Sequence, residues 1–279
     1  MLHVGTDEAG YGPLLGPLVV AAAVYETSSD RRAAPGDGIA DSKEVYGRGG
    51  RAALARVLSP YLGLPAPVSL GDLLARLSVR GDPRLGYLWY GDVSDPEAGG
   101  GAPPATFRRL YVNPVCERDF NEGCARWGDK ATLLFEETMR VVRQALADHA
   151  GDATVVCDKH GGRNRYAGLL LAELGPSSIL CERETAARSS YRLTLGGRTV
   201  RIRFDRAADA SDRACALASM AAKYTRELFM EGLNGFFVSR VAGLRPTAGY
   251  YGDGRRFLGE VRGILRDLGC PEDLFVRAR

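Results

Sequence analysis

Two short apolar runs, far apart in the chain, end in the same way. Leu2-His3-Val4-Gly5-Thr6 leads to Asp7 and Glu8 and then to Gly10 and Gly12; Ala153-Thr154-Val155-Val156-Cys157 leads to Asp158 and then to Gly161 and Gly162. Apolar and β-branched runs broken by glycine read as buried strands. In open α/β sheets, sites form beyond the carboxyl ends of parallel strands, so two strands ending in acid can deliver their carboxylates to one edge. Neighbouring carboxylates repel, and keeping them ionised and partly desolvated is costly unless a cation lies between them. Oxygen donors of this kind suit hard divalent ions. Glycine turns beside them leave bare N–H groups that can approach a phosphate or a sugar. An acidic pair is also ordinary surface chemistry, and Asp before a glycine turn is ordinary turn chemistry. The reading therefore depends on partners elsewhere in the sequence.

The remaining pattern supplies a sheet and helices to hold such an edge. Residues 2–7 and 17–26 read as an antiparallel strand pair joined by a Gly/Pro loop, and 27–38 as a polar loop. Asp41 or Ser42 can cap a helix, placed over residues 49–60. Residues 60–106 read as an insertion, with a helical stretch near 70–78 and a Gly/Pro-rich loop from 91 to 104. Strands follow at 109–113, 153–158 and 178–182, and a hairpin at 191–204 turns at Gly196-Gly197. Helices are expected at 129–149, 164–174, 211–232 and 255–268. The fold class is α/β, a mixed sheet flanked by helices. The expected division is a catalytic domain over 1–235, and a helical extension over 236–279 that contributes a substrate-contacting loop.

With 45% apolar and 25% charged residues, the 279-residue chain has the composition of an ordinary globular protein. No apolar run is long enough to span a bilayer and no leader pattern opens the sequence, so a cytoplasmic protein with no membrane association is expected. Six cysteines without CxxC pairing read as reduced, packed side chains, and three histidines exclude a His-rich metal site. Net charge is only +3, but residues 159–206 hold ten Lys/Arg against four Asp/Glu. Such a segment suits a phosphate backbone and equally suits a solvated surface.

A third acid, Asp209, stands just ahead of the long helix, which would carry Asp212, Ser219, Lys223 and Arg226 along one face. At this point the sequence resembles a family. Asp7-Glu8-Ala9-Gly10-Tyr11-Gly12-Pro13, followed by Gly16-Pro17-Leu18-Val19, is similar to the opening motif of type 2 ribonuclease H (ribonuclease HII), in which Arg is usual at the place of Tyr11. Ala40-Asp41-Ser42-Lys43 resembles the family's Asp-Ser-Lys motif, and Lys130-Ala131-Thr132 its Gln-Ala-Thr helix start. Asp209 with the stretch from Ala218 to Glu227 resembles its Asp-x10-Ile-x-Ala-Lys-Val-x-Arg-Asp segment, and Gly249-Tyr250-Tyr251-Gly252-Asp253 its Gly-Tyr-Pro-Ser-Asp motif.

The resemblance implies a ribonuclease H-like fold and four catalytic, metal-binding acids: Asp7, Glu8, Asp158 and Asp209. It implies two divalent ions, Mg2+ or Mn2+, clamping the attacking and leaving oxygens of a scissile phosphate. The implied activity is endonucleolytic cleavage of RNA in RNA–DNA hybrids, or at ribonucleotides embedded in duplex DNA, by a monomer. Gly10, Tyr11 and Gly12 would meet the ribose 2′-OH, Tyr250 would stack on the substrate, and Ser42, Lys43 and Lys223 would complete the binding surface. Two alternatives stay open: a two-metal phosphodiesterase of this fold with another nucleic-acid target, and a catalytically silent nucleic-acid-binding relative.

Overall fold

The strand that opens the chain, β1 (Leu2–Ala9), lies in the interior of a seven-stranded sheet rather than at its edge. In this computed structural model residues 1–26 and 38–278 are described; the polar loop expected at 27–38 falls, but for Gly38, outside the described residues. In chain order the elements after β1 are β2 (Leu18–Glu26), α1 (Ser42–Leu62), β3 (Val68–Ser69), α2 (Leu70–Leu77), β4 (Ser94–Asp95), β5 (Phe107–Val115), α3 (Glu117–Trp127) and α4 (Lys130–Asp148). They continue with β6 (Ala153–Asp158), α5 (Ala167–Leu174), β7 (Ser178–Glu184), β8 (Arg188–Leu195), β9 (Arg198–Asp205), α6 (Arg213–Val238) and α7 (Tyr251–Asp267). The large sheet runs β5-β2-β1-β6-β9-β8-β7, while β3 and β4 form a separate two-stranded pair.

β1 pairs antiparallel with β2, from Leu2↔Glu26 to Ala9↔Val19, as the short Gly/Pro connection requires. On its other side β1 runs parallel to β6, and β6 runs parallel to β9. Three adjacent strands therefore point their carboxyl ends in one direction. Side chains alternate across the sheet. Val4, Val155, Cys157, Ile202 and Phe204 face one way and pack with Leu133, Phe135 and Val142 of α4. The opposite face is covered by α6, whose Cys215 packs on Val156.

The approach of α6 is unusually close, and Gly5 is the reason. A Cβ at position 5 would lie 2.2 Å from the Cys215 nitrogen and 2.4 Å from the Ala214 carbonyl carbon. The helix matches that closeness with small side chains at Ala214, Cys215, Ala218, Ala221 and Ala222. Strand and helix then run alongside one another, and their contacts recur in step: His3 bonds Asp212 at 2.8 Å, Gly5 meets Ala214 and Cys215, and Gly10 meets Arg226.

Several elements differ from their expected bounds. The helix placed at 49–60 starts at Ser42, where the Asp41 carboxylate accepts the Lys43 and Glu44 N–H groups at 2.7 and 3.2 Å. It is broken at Gly49-Gly50, where Gly50 takes φ 62°. Helix α3 has no expected counterpart, because Glu117, Phe120 and Gly123 alone are buried and no apolar stripe marks it. Within the segment expected as an insertion, Leu70, Leu73, Leu74, Trp89 and Tyr90 are buried in one cluster with Phe229 and Phe237 of α6. Phe257 and Val261 of α7, and Phe275 beyond it, join the same cluster. All six cysteines are free. Among the described residues no helix is long and apolar enough to cross a membrane.

The Gly5 contact makes a direct prediction. Gly5→Ala forces β1 and α6 apart and should lower stability by about 3 kcal/mol, read as a fall in the denaturation midpoint. An unchanged midpoint would mean that the helix does not rest on the strand there.

Candidate active site

The parallel register fixes where the strand-end acids go. Thr6 pairs with Cys157, so the next residues, Asp7 and Asp158, stand side by side; Asp158 in turn pairs with Asp205. Residues in parallel register share a face, which places Asp7, Asp158 and Asp205 in a row on the α6 side. Glu8 alternates to the other face, but β6 ends at Asp158, and Glu8 still feels the charges of Asp7, Asp158 and Asp209. Asp209 arrives from a short 3-10 turn (Ala208–Ala210) between β9 and α6. The turn is launched by Ala207 in the left-handed region at φ 53°, a strained conformation for a residue with a Cβ. It presents the Ala208 N–H to the Asp158 carboxylate at 3.0 Å.

All four acids are partly accessible at the surface. Even so, enclosure by protein is the main influence on Asp7, Glu8 and Asp158. Burial raises the Asp7 carboxyl to about 7; the adjacent Ser219 hydroxyl opposes that rise, while Asp209 and Asp158 add to it. Burial pushes Glu8 well above its ordinary range, and Asp7, Asp158 and Asp209 push it further. Asp158 is raised by burial and by Asp209, against the pull of the Ala208 N–H.

Asp205 differs, although its strand tip is equivalent. The Arg188 guanidinium grips it at 2.6 and 2.8 Å, and Arg203 adds a contact at 3.0 Å. Asp212, the α6 N-cap, is likewise matched by His3 at 2.8 Å and Arg203 at 3.3 Å. Among the described residues, no lysine, arginine or histidine forms an ion pair with Asp7, Glu8, Asp158 or Asp209. The donor chemistry of these four acids fits a hard divalent cation. They do not stand in a closed cage: among the described residues no group of three or more acidic, histidine or cysteine side chains is drawn together tightly enough to hold a metal ion.

Beside Asp7, Ser219 Oγ lies 2.9 Å from Ser42 Oγ, both residues being buried. This hydroxyl pair ties the start of α1 to the acid row. Lys43 projects from the same turn and is exposed. Lys223, one helical turn beyond Ser219, stacks over the Tyr46 ring at 4.1 Å and lies 4.0 Å from Glu227. Burial holds its pKa below the ordinary lysine value, and the positive charges of Arg226 and Lys43 act the same way.

The glycine loop closes the other flank. Gly10 has φ 84°, and a Cβ there would meet the Pro17 carbonyl oxygen and the Arg226 side chain, both at 2.5 Å. Leu14 and Leu15 donate their N–H groups to the Gly249 oxygen at 2.7 and 3.2 Å, which brings the Gly10-Tyr11-Gly12 loop beside Tyr250. Tyr11 is half-buried, and Glu8 and Asp129 both bear on its hydroxyl. Tyr250 is 59% exposed. The basic segment 159–206 is largely engaged elsewhere: Lys159 bonds Asn164 at 2.8 Å and the Thr185 oxygen at 2.8 Å, Arg192 pairs with Glu182, and Arg198 holds the His149 carbonyl.

Sequence reasoning passed over two residues here. Asp205 carries the same strand-end signal as Asp158, one residue beyond the expected hairpin. Ser219 was placed on the right helix face, but its contact with Asp7 has no local signal. The crowding of acids has a pH signature. A carboxyl whose folded pKa lies above its unfolded value keeps its proton longer in the folded state, so it subtracts stability as pH rises from about 4 to about 7. In chelator-treated protein the stability difference between Asp7→Asn and wild type should therefore grow in favour of Asn across that window and level off above it. A pH-independent difference in denaturation midpoints would show that Asp7 is not so confined.

The ribonuclease HII family model matches residues 4–70. No curated protein matches the chain. Among solved structures, the PCNA:RNase HII complex from Archaeoglobus fulgidus aligns over 100% of this chain and 95% of that chain, at 21% identity and a TM-score of 0.54. The ribonuclease H2 of Pyrococcus horikoshii OT3 aligns over 99% and 92%, at 18% identity and a TM-score of 0.48. The fold is thus ribonuclease H-like, and the chain resembles ribonuclease HII.

Proposed function

We propose that this protein is a divalent-metal-dependent endonuclease that cleaves the RNA strand of RNA–DNA hybrids or cuts at ribonucleotides embedded in duplex DNA. The observation that carries this reading is the set of four acids, without ion-pair partners among the described residues, at and just beyond the carboxyl ends of parallel strands and flanked by a glycine loop. The match over residues 4–70 supports it, since that stretch contains Asp7, Glu8, Gly10, Gly12, Ser42 and Lys43.

Asp7, Glu8, Asp158 and Asp209 would hold two ions, Mg2+ or Mn2+. Such ions, when bound, supply positive charge for the attacking and leaving oxygens of a phosphodiester. Ser219 and the Ala208 N–H orient the Asp7 and Asp158 carboxylates and favour their ionised forms. Lys43 and Lys223 approach one another closely enough to interact, and that doublet suits a phosphate of the strand being cut. The loop amides at Gly10, Tyr11 and Gly12 suit a 2′-hydroxyl, the group that separates RNA from DNA. The exposed Tyr250 ring offers a face for stacking.

The test uses Mg2+ or Mn2+ with three substrates: a duplex carrying one ribonucleotide, an RNA–DNA hybrid, and plain DNA. Cleavage of the first two alone is expected, and Asp7→Asn or Asp158→Asn should lower kcat/KM roughly 10³-fold, about 4 kcal/mol of transition-state stabilisation. Cleavage of plain DNA would assign another target. Binding without cutting, indifferent to Asp158→Asn, would remove the enzymatic reading.

A further inference from the structure

Beneath the glycine loop lies a buried cluster of charges that the acid row does not use. Arg277, in the segment after α7, is 2% exposed. Its guanidinium donates to the Gly10 oxygen, to the Gly16 oxygen at 3.3 Å and to the Tyr11 oxygen at 3.1 Å, while its backbone N–H reaches the Leu14 oxygen at 3.0 Å. The guanidinium carbon lies over the ring of Phe120 of α3, 3.8 Å from its centre. Arg226, also buried, takes the Leu15 and Ala248 oxygens, each at 3.1 Å. Glu117 is fully buried, near enough to both cations to stabilise their charge, and accepts the Gly16 N–H at 3.0 Å and the Tyr90 hydroxyl at 2.5 Å. Asn121 anchors the segment by donating to the Asp273 and Val276 oxygens, both at 2.8 Å.

Much of the loop's hold is therefore on its carbonyls. Five of its carbonyls, those of Gly10, Tyr11, Leu14, Leu15 and Gly16, are bound by Arg277 and Arg226. Among the described residues the Tyr11 and Gly12 N–H groups have no protein acceptor. A guanidinium presents donors in a rigid planar fork, which suits a set of oxygens converging from separate points of one turn. We infer that Arg277 is a positioning residue for the Gly10-Tyr11-Gly12 loop: by fixing the loop's carbonyls inward, it aims the free amides outward at the ribose that is to be recognised. This inference rests on the ribonucleotide reading for its ligand, but not for the clamp itself.

Two variants and two readouts separate these. Arg277→Met removes the fork; Arg277→Lys keeps one charge and cannot span the separate oxygens. In both, amide hydrogen exchange at Leu14, Leu15 and Gly16 should accelerate at least tenfold, while the β6 and β9 amides keep their wild-type rates. On a duplex with a single ribonucleotide, KM should rise at least tenfold with kcat within about threefold of wild type, since the acids are untouched. Unchanged exchange at 14–16 in the lysine variant would overturn the clamp. Faster exchange with KM unchanged, or with kcat and KM changed together, would overturn its positioning role. If wild type cleaves no ribonucleotide-bearing duplex, the functional reading falls, while the exchange measurement still decides whether Arg277 holds the loop.

Discussion

The seating of α6 directly on β1 is the contact on which everything else depends. A strand advances about 6.6 Å every two residues and a helix about 5.4 Å every turn, so alternate strand positions can meet successive helical turns. Here they do, in the sequence His3 with Asp212, Gly5 with Cys215 and Asp7 with Ser219, and two turns further along the helix Arg226 meets Gly10, just past the end of the strand. Only glycine at position 5 permits this distance. One helix face thereby caps itself through the strand, supports a strand-tip acid and underpins the turn that follows.

Electrostatics then divides six acids of one neighbourhood into two kinds. Asp205 and Asp212 are buried and compensated by arginine and histidine, the usual condition of an interior carboxylate. Asp7, Glu8, Asp158 and Asp209 sit a few residues away; burial raises the proton affinity of the first three, and the neighbouring acids, Asp209 among them, add to the rise. Compensation was within reach, since Arg203 lies on the strand beside β6 and spends its donors on Asp205 and Asp212 instead. Burial together with crowded like charges is one arrangement by which functional sites perturb their acids.

Much of this was legible because the signals are local. An apolar run, its terminal acid and the glycine after it are adjacent in sequence, so β1, β6 and their acids could be read directly. The β1–β2 hairpin, the β8–β9 hairpin and α4 have clear periodicity or turn chemistry. Helix α3 could not be read, because its inner face presents Glu117, Phe120 and a glycine that accommodates Leu133 rather than an apolar stripe. The break in α1 and its early start depend on the Asp41 cap and on Gly49-Gly50, features that separate weakly from ordinary loop composition. Ser219 and Arg277 act through tertiary contacts alone, and nothing beside them in the sequence announces their partners.

The bond from Arg277 to Gly10 spans 267 positions of the sequence. Bringing such distant groups together carries a large loop-closure entropy, and many intervening elements must be in place before the two can meet. The acid row and the glycine turn are thus secured by separate parts of the polypeptide, and the second is complete only when residues from both extremes of the described sequence have met.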